Sequence, residues 1–205
     1  MSSSRDFRDV AVPAIICFGD SLTAGFRSPT LTDPIPGDAP YGRFLQEHLG
    51  NRAVVKISGV CGERTADMAR RFARDVVAYK PRATVILGGT NDLGWNTPAG
   101  EIVRNLQNMY ASASESGIEV VAVTVPSVRG YDDYIQARYE LNSLLLDYCA
   151  HQGLSLVDLF TATAEPTTGR LAERYSNDGL HLTVAGYRLL ADLLYQQVFH
   201  KSVPD

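Results

Sequence analysis

Five short apolar runs recur along the chain, separated by segments with helical spacing, and this alternation restricts the fold more than any other feature. The runs are Ala14–Phe18 (AIICF), Ala53–Ser58, Ala83–Gly89, Glu119–Val125 and Leu154–Leu159. Most are rich in Val, Ile or Leu and apolar on both faces, as strands covered by helices on each side must be. Between them, Ala66, Ala69, Phe72, Ala73, Val76 and Val77 make one stripe, and Ile102, Val103, Leu106, Met109, Tyr110 and Ala113 make another. A third stripe, Leu189, Leu190, Leu193, Leu194 and Val198, follows Thr183, a candidate N-cap. Parallel neighbours need right-handed crossovers, so this order predicts an α/β fold with one doubly wound sheet and helices on both faces. Ligands of such sheets bind beyond the carboxyl ends of the strands. One domain over residues 1–205 is predicted, with 1–12 as a loosely ordered N-terminal segment.

Charge and cysteine usage narrow the function. With 19 basic and 23 acidic side chains the net charge is -4, which argues against a nucleic-acid partner. The one dense cluster, Arg70–Asp75 (RRFARD), reads as a solvated helix face. Cys17, Cys61 and Cys149 are odd in number, widely separated and without Cys/His spacing for a metal, so free thiols are predicted. The start, MSSSRDFRDV, has no apolar core of signal-peptide length, and no segment approaches the roughly 20 apolar residues that cross a bilayer. A cytoplasmic protein without stable membrane insertion is expected.

Four polar clusters fall where strands end or the last helix begins. Asp20-Ser21 follows the first run, SGVCGERT (58–65) the second and GGTND (88–92) the third, while NDGLHLT (177–183) precedes the last helix. Serine nucleophiles need a base in reach, a group that orients the base, and donors aimed at the developing oxyanion. Ser21 supplies the nucleophile, His181 the base and Asp178, three residues earlier on an Asp-Gly turn, the orienting carboxylate. The Ser21 N–H, a glycine N–H from the second cluster and the Asn91 amide are the candidate oxyanion donors. On chemistry alone Gly59 and Gly62 both qualify. Taken singly, each residue has an ordinary role as helix cap or turn residue; their joint placement at one sheet edge is what points to catalysis. Asp20 is assigned to support of the loop.

These blocks resemble those of the SGNH hydrolases, the GDSL esterases and lipases: GDSLT with Ser21, SGVCGERT with its glycines, GGTND with Asn91, and DGLH with Asp178 and His181. The resemblance implies a flavodoxin-like three-layer α/β/α sandwich around a mostly parallel five-stranded sheet. It also implies a Ser-His-Asp triad without metal or cofactor, acting on a small-molecule ester. Aligned on the family's second block, Gly62 takes the oxyanion place and Gly59 that of a small residue. Ile57 stands where many members have Asn, and Cys61 where Ser is common. An α/β-hydrolase elbow, G-x-S-x-G, would need Gly where Thr23 stands.

The substrate pocket is less legible. Trp95 and Phe26 are the apolar candidates, and Arg129, in the loop after the fourth run, is the basic one. The Pro-rich stretch 27–40, four of whose residues are prolines, is predicted as a long irregular loop beside Ser21. Ester, thioester, lysophospholipid and sugar-acetate hydrolysis share these residues, as does acyl transfer to an alcohol. A non-catalytic binding module is disfavoured by the presence of every expected catalytic group.

Overall fold

The computed structural model describes residues 14–200, so the expected N-terminal segment 1–12 lies outside the described residues. Five strands, β1 (Ala14–Gly19), β2 (Val54–Gly59), β3 (Ala83–Leu87), β4 (Glu119–Val123) and β5 (Ser155–Val157), form one sheet in the order β2-β1-β3-β4-β5. Every pairing is parallel. This is the flavodoxin-like order, whose reversal between β1 and β3 opens a crevice at the carboxyl edge. All five predicted runs are strands. They differ in burial: β1, β3 and β4 are covered, whereas β2 leaves Val54 and Ile57 exposed because it lies at the sheet edge.

Among the described residues there are eight α-helices: α1 (Ser21–Ala24), α2 (Tyr41–Leu49), α3 (Thr65–Asp75), α4 (Thr90–Gly94), α5 (Ala99–Glu115), α6 (Ile135–Gln152), α7 (Leu159–Thr163) and α8 (Val184–Leu194). α2 packs on α8, while α3, α5 and α6 pack side by side as a second layer. The predicted stripe of α5 is buried along its whole length. Thr183 caps α8, its Oγ1 accepting the Gly186 N–H.

The stripe predicted for α3 is rotated. Its buried face is Thr65, Met68, Arg71 and Phe72, and Ala73 is exposed. Arg71 therefore overturns the reading of 70–75 as a wholly solvated face, although Arg70 and Arg74 do project into solvent. The cause lies at the strand ends. Gly19 O and Ser58 O lie at the carboxyl ends of neighbouring parallel strands, and the Arg71 Nη groups donate to both (2.8 and 3.3 Å) while its guanidinium stacks on Phe18. Glu63 and Asp75 neutralise the charge at 2.7 and 3.0 Å.

The three cysteines are free. Among the described residues, no helix is long and apolar enough to cross a membrane, and no group of three His, Cys, Asp or Glu side chains could hold a metal ion.

Candidate active site

β1 ends at Gly19, and the chain turns at once into α1. Asp20 caps this short helix, its Oδ1 accepting the Leu22 N–H at 2.9 Å, so the residue after the cap, Ser21, is held at the strand's carboxyl end. Capping and presentation of the serine are thus the work of two adjacent residues. The Ser21 N–H, at the first helical position, is one of the donors that a helix leaves without an internal partner.

His181 and Asp178 belong to the loop before α8. Ser176 organises it: its Oγ lies 2.7 Å from His181 O and accepts the Gly179 N–H at 2.9 Å. Asp178 Oδ1 accepts the N–H groups of Leu180 and His181 at 2.9 and 2.7 Å, while Oδ2 faces His181 Nδ1 at 2.7 Å. The far side of the ring completes the relay, with Nε2 at 3.2 Å from Ser21 Oγ. An ionised Asp178 accepts the Nδ1 proton, which leaves the Nε2 lone pair directed at the serine hydroxyl.

Burial by itself would raise the Asp178 pKa. Hydrogen bonds from His181, Ser28 and the two N–H groups outweigh it and hold the carboxyl well below the usual carboxylate range. Ser28, in the Pro-rich loop, donates a short bond to Oδ2 and so ties that loop to the acid.

The two candidate glycines separate on geometry. A Cβ on Gly59 would lie 2.2 Å from Ala24 N, so this glycine lets α1 close onto β2. Gly62 has φ +80° at the third position of a turn closed by Glu63 N–H to Val60 O, with open space around it. Asn91, at the start of α4, donates from Nδ2 to Glu63 O at 2.8 Å, which brings it beside this turn. Asp92 fastens the same two loops, accepting the Thr65 N–H and hydroxyl at 2.9 and 2.7 Å. Ser21, Gly62 and Asn91 therefore come from three loops fixed to one another.

A model of the GDSL-like lipase/acylhydrolase family matches residues 17–189. The chain belongs to that family. No curated protein sequence matches it, but solved structures share its fold. A lipase/acylhydrolase from Enterococcus faecalis is 26% identical, covering 92% of this chain and 96% of its own, with a TM-score of 0.76. A GDSL-like lipase from Bacteroides thetaiotaomicron is 21% identical over 92% and 88%, at 0.75. An acetylxylan esterase from Geobacillus stearothermophilus is 18% identical over 94% and 97%, at 0.74.

As a GDSL-family member the protein is a carboxylic ester hydrolase. Next to the serine site of this GDSL hydrolase lies a cavity of about 340 Å³, with Asn91, Trp95, Tyr131, Tyr134, Arg138 and Leu180 in its wall. Trp95 is 73% exposed, at the rim, with the Arg64 guanidinium over its ring. Phe26 packs edge-on against the His181 ring at 4.6 Å, so it steadies the imidazole. Arg129 is not brought to the cavity. Its guanidinium is held by Leu171 O, Glu165 and Glu173, bracing the loop whose Arg129 N–H donates to Gly179 O.

Asp20 is fully buried, and its Oδ2 has no partner among the described residues. Burial pushes its pKa up to about 7, against the lowering effect of the Leu22 N–H and His181. A carboxyl with a raised folded pKa contributes most stability below its unfolded value of 3.8, and that contribution is lost as pH rises towards 7. Asp20→Asn keeps a capping oxygen but cannot ionise. Its thermal midpoint is expected to match or trail the wild type at pH 4 and exceed it by a few degrees at pH 8; a difference independent of pH would refute the assignment.

Proposed function

We propose that Ser21 is the nucleophile of a small-ester hydrolase, with His181 as general base and Asp178 as its orienting acid. The observation that carries this reading is the unbroken relay from Asp178 through His181 to Ser21. Ser21 Oγ attacks the ester carbonyl carbon while its proton passes to His181 Nε2, and Asp178 stabilises the imidazolium. The N–H groups of Ser21 and Gly62 and the amide of Asn91 take the oxyanion. As the tetrahedral intermediate collapses, the leaving alcohol receives the proton from His181, and an acyl-Ser21 ester remains. Water then enters, His181 accepts its proton, and the carboxylic acid is released with Ser21 restored.

A cavity of about 340 Å³ is at the lower end of ligand pockets, which supports esters with a short acyl chain or a compact alcohol. Thioesters, lysophospholipids and sugar acetates present the same carbonyl, and hydrolysis of each is a narrower version of this reading. The test is a fluorophosphonate probe followed by peptide mass spectrometry, with p-nitrophenyl acetate hydrolysis measured in parallel. A phosphonyl adduct on Ser21 that forms as activity disappears is the expected result. Activity that survives complete labelling, or an adduct elsewhere that accounts for the loss, overturns it.

A further inference from the structure

Arg138 is the second deeply buried arginine of the described residues, and its surroundings differ from those of Arg71. It lies on α6, is 3% exposed, and contributes to the wall of the cavity beside Asn91. Arg71 has two carboxylates on its guanidinium. Arg138 has none among the described residues: its Nε donates to Pro126 O at 3.1 Å and its Nη1 to Tyr134 O at 3.4 Å, both neutral carbonyls. Nη2 has no protein acceptor among the described residues. Burial lowers its pKa to about 10, so the group stays charged at neutral pH.

Burying a charge is costly unless an opposite charge meets it. Hydrogen bonds to two carbonyls satisfy part of the fork but leave the net charge uncompensated. Trp95, Val128, Tyr131 and Tyr134 contribute apolar surface to the wall of the cavity, and an ion pair beside such surface is stronger than one in open water. A planar fork with free donors matches a carboxylate in two-point geometry. Thr90, whose buried Oγ1 also lacks a partner among the described residues, is in the same wall.

We propose that Arg138 is a specificity residue that binds a carboxylate carried by the substrate, making the preferred substrate an anionic ester. The inference rests on the esterase reading above. The carboxylate comes from the acyl part, as in a monoester of a dicarboxylic acid, or from the alcohol part, as in an O-acylated hydroxy acid, and matched pairs distinguish them. For the acyl side the pair is p-nitrophenyl hemisuccinate and p-nitrophenyl butyrate. For the alcohol side it is acetoxyacetate and ethyl acetate.

In the wild type, kcat/KM for the anionic member of one pair is expected to exceed that of its neutral partner. Arg138→Gln is expected to lower that ratio by about ten- to a hundredfold, and Arg138→Lys to restore part of it. A structural role for Arg138 would reduce both members equally, and an unchanged ratio overturns the proposal. So does a wild type that favours the neutral member of both pairs.

Binding is read separately by calorimetric titration of Ser21→Ala protein with glutarate and with the neutral butyramide. Saturable binding of glutarate alone, lost on adding Arg138→Gln, supports the site even if no ester is turned over, a result that would sink the esterase reading only. Should the Arg138 variants fail to fold, the wild-type ratios and the glutarate titration decide the matter, and absence of both preference and binding rejects it.

Discussion

Replacing Ser21 with Ala is expected to lower kcat/KM for p-nitrophenyl acetate by about 10⁵-fold or more, the scale of loss when a catalytic serine is removed from a triad. The thermal midpoint should stay close to that of the wild type, because the one described partner of Ser21 Oγ is His181 at 3.2 Å. If Ser21 and His181 act as a unit, His181→Ala loses about as much as Ser21→Ala, and the double variant loses no more than either single one. On the proposed reading, activity left in all three would come from the backbone donors and Asn91, acting on the oxyanion formed when water attacks directly. A loss of only about tenfold in Ser21→Ala, against the expected scale, would remove the serine from the chemistry. Multiplying losses in the double variant would mean that the two residues contribute independently, contrary to the relay.

The strands and the position of the candidate serine were legible because each leaves a local trace: a short β-branched or aliphatic run, then a polar residue at its end. Other features depend on groups distant in sequence and have no such trace. Ser28 is an ordinary loop serine until the Pro-rich segment folds over Asp178, 150 residues away. Arg71 sits in a run that looks solvated, because helical periodicity registers apolar side chains and says nothing about carbonyls at the ends of β1 and β2 that can accept a further donor. α6 gave no apolar stripe to read, since its buried face mixes Leu141, Leu145 and Cys149 with Arg138 and Asn142. Asn142 bonds both the N–H and the C=O of Val125, closing the carboxyl end of the fourth strand in the way an additional strand would. On chemistry alone Gly59 and Gly62 were equivalent in the sequence; the resemblance assigned Gly62 to the oxyanion place, and the packing of Ala24 against Gly59 gives the physical difference between them. Arg129, the basic pocket candidate, is drawn away for the same reason: distant acidic partners hold its guanidinium, whereas Arg138, which carried no signal in the sequence, meets only carbonyls among the described residues.

The second large effect is expected from Asp178→Asn, and the hydrogen bonds around the carboxylate determine its direction. Oδ1 accepts two backbone N–H groups, from Leu180 and His181. An amide placed there must therefore put its oxygen at Oδ1 and its NH₂ at the Oδ2 position, against His181 Nδ1. The ring can then meet the amide only by accepting at Nδ1, which moves its proton to Nε2, where it confronts Ser21 Oγ as a donor and cannot serve as base. The expected fall in kcat is about 10⁴-fold, the loss that accompanies the wrong histidine tautomer. Ser28→Ala removes one donor to Oδ2 but leaves the tautomer intact, so its loss should be far smaller. Stability separates by pH. Because Asp178 is held below its ordinary value of 3.8, its contribution is present above that value and lost as pH falls beneath it. The midpoint deficit of Asp178→Asn should thus be full at pH 7 and shrink below pH 4, read by thermal melts of both proteins across that range. A deficit of equal size at pH 3 would show that the carboxylate's charge contributes nothing there. A variant with nearly normal kcat would show that Asp178 holds the loop without setting the tautomer of His181.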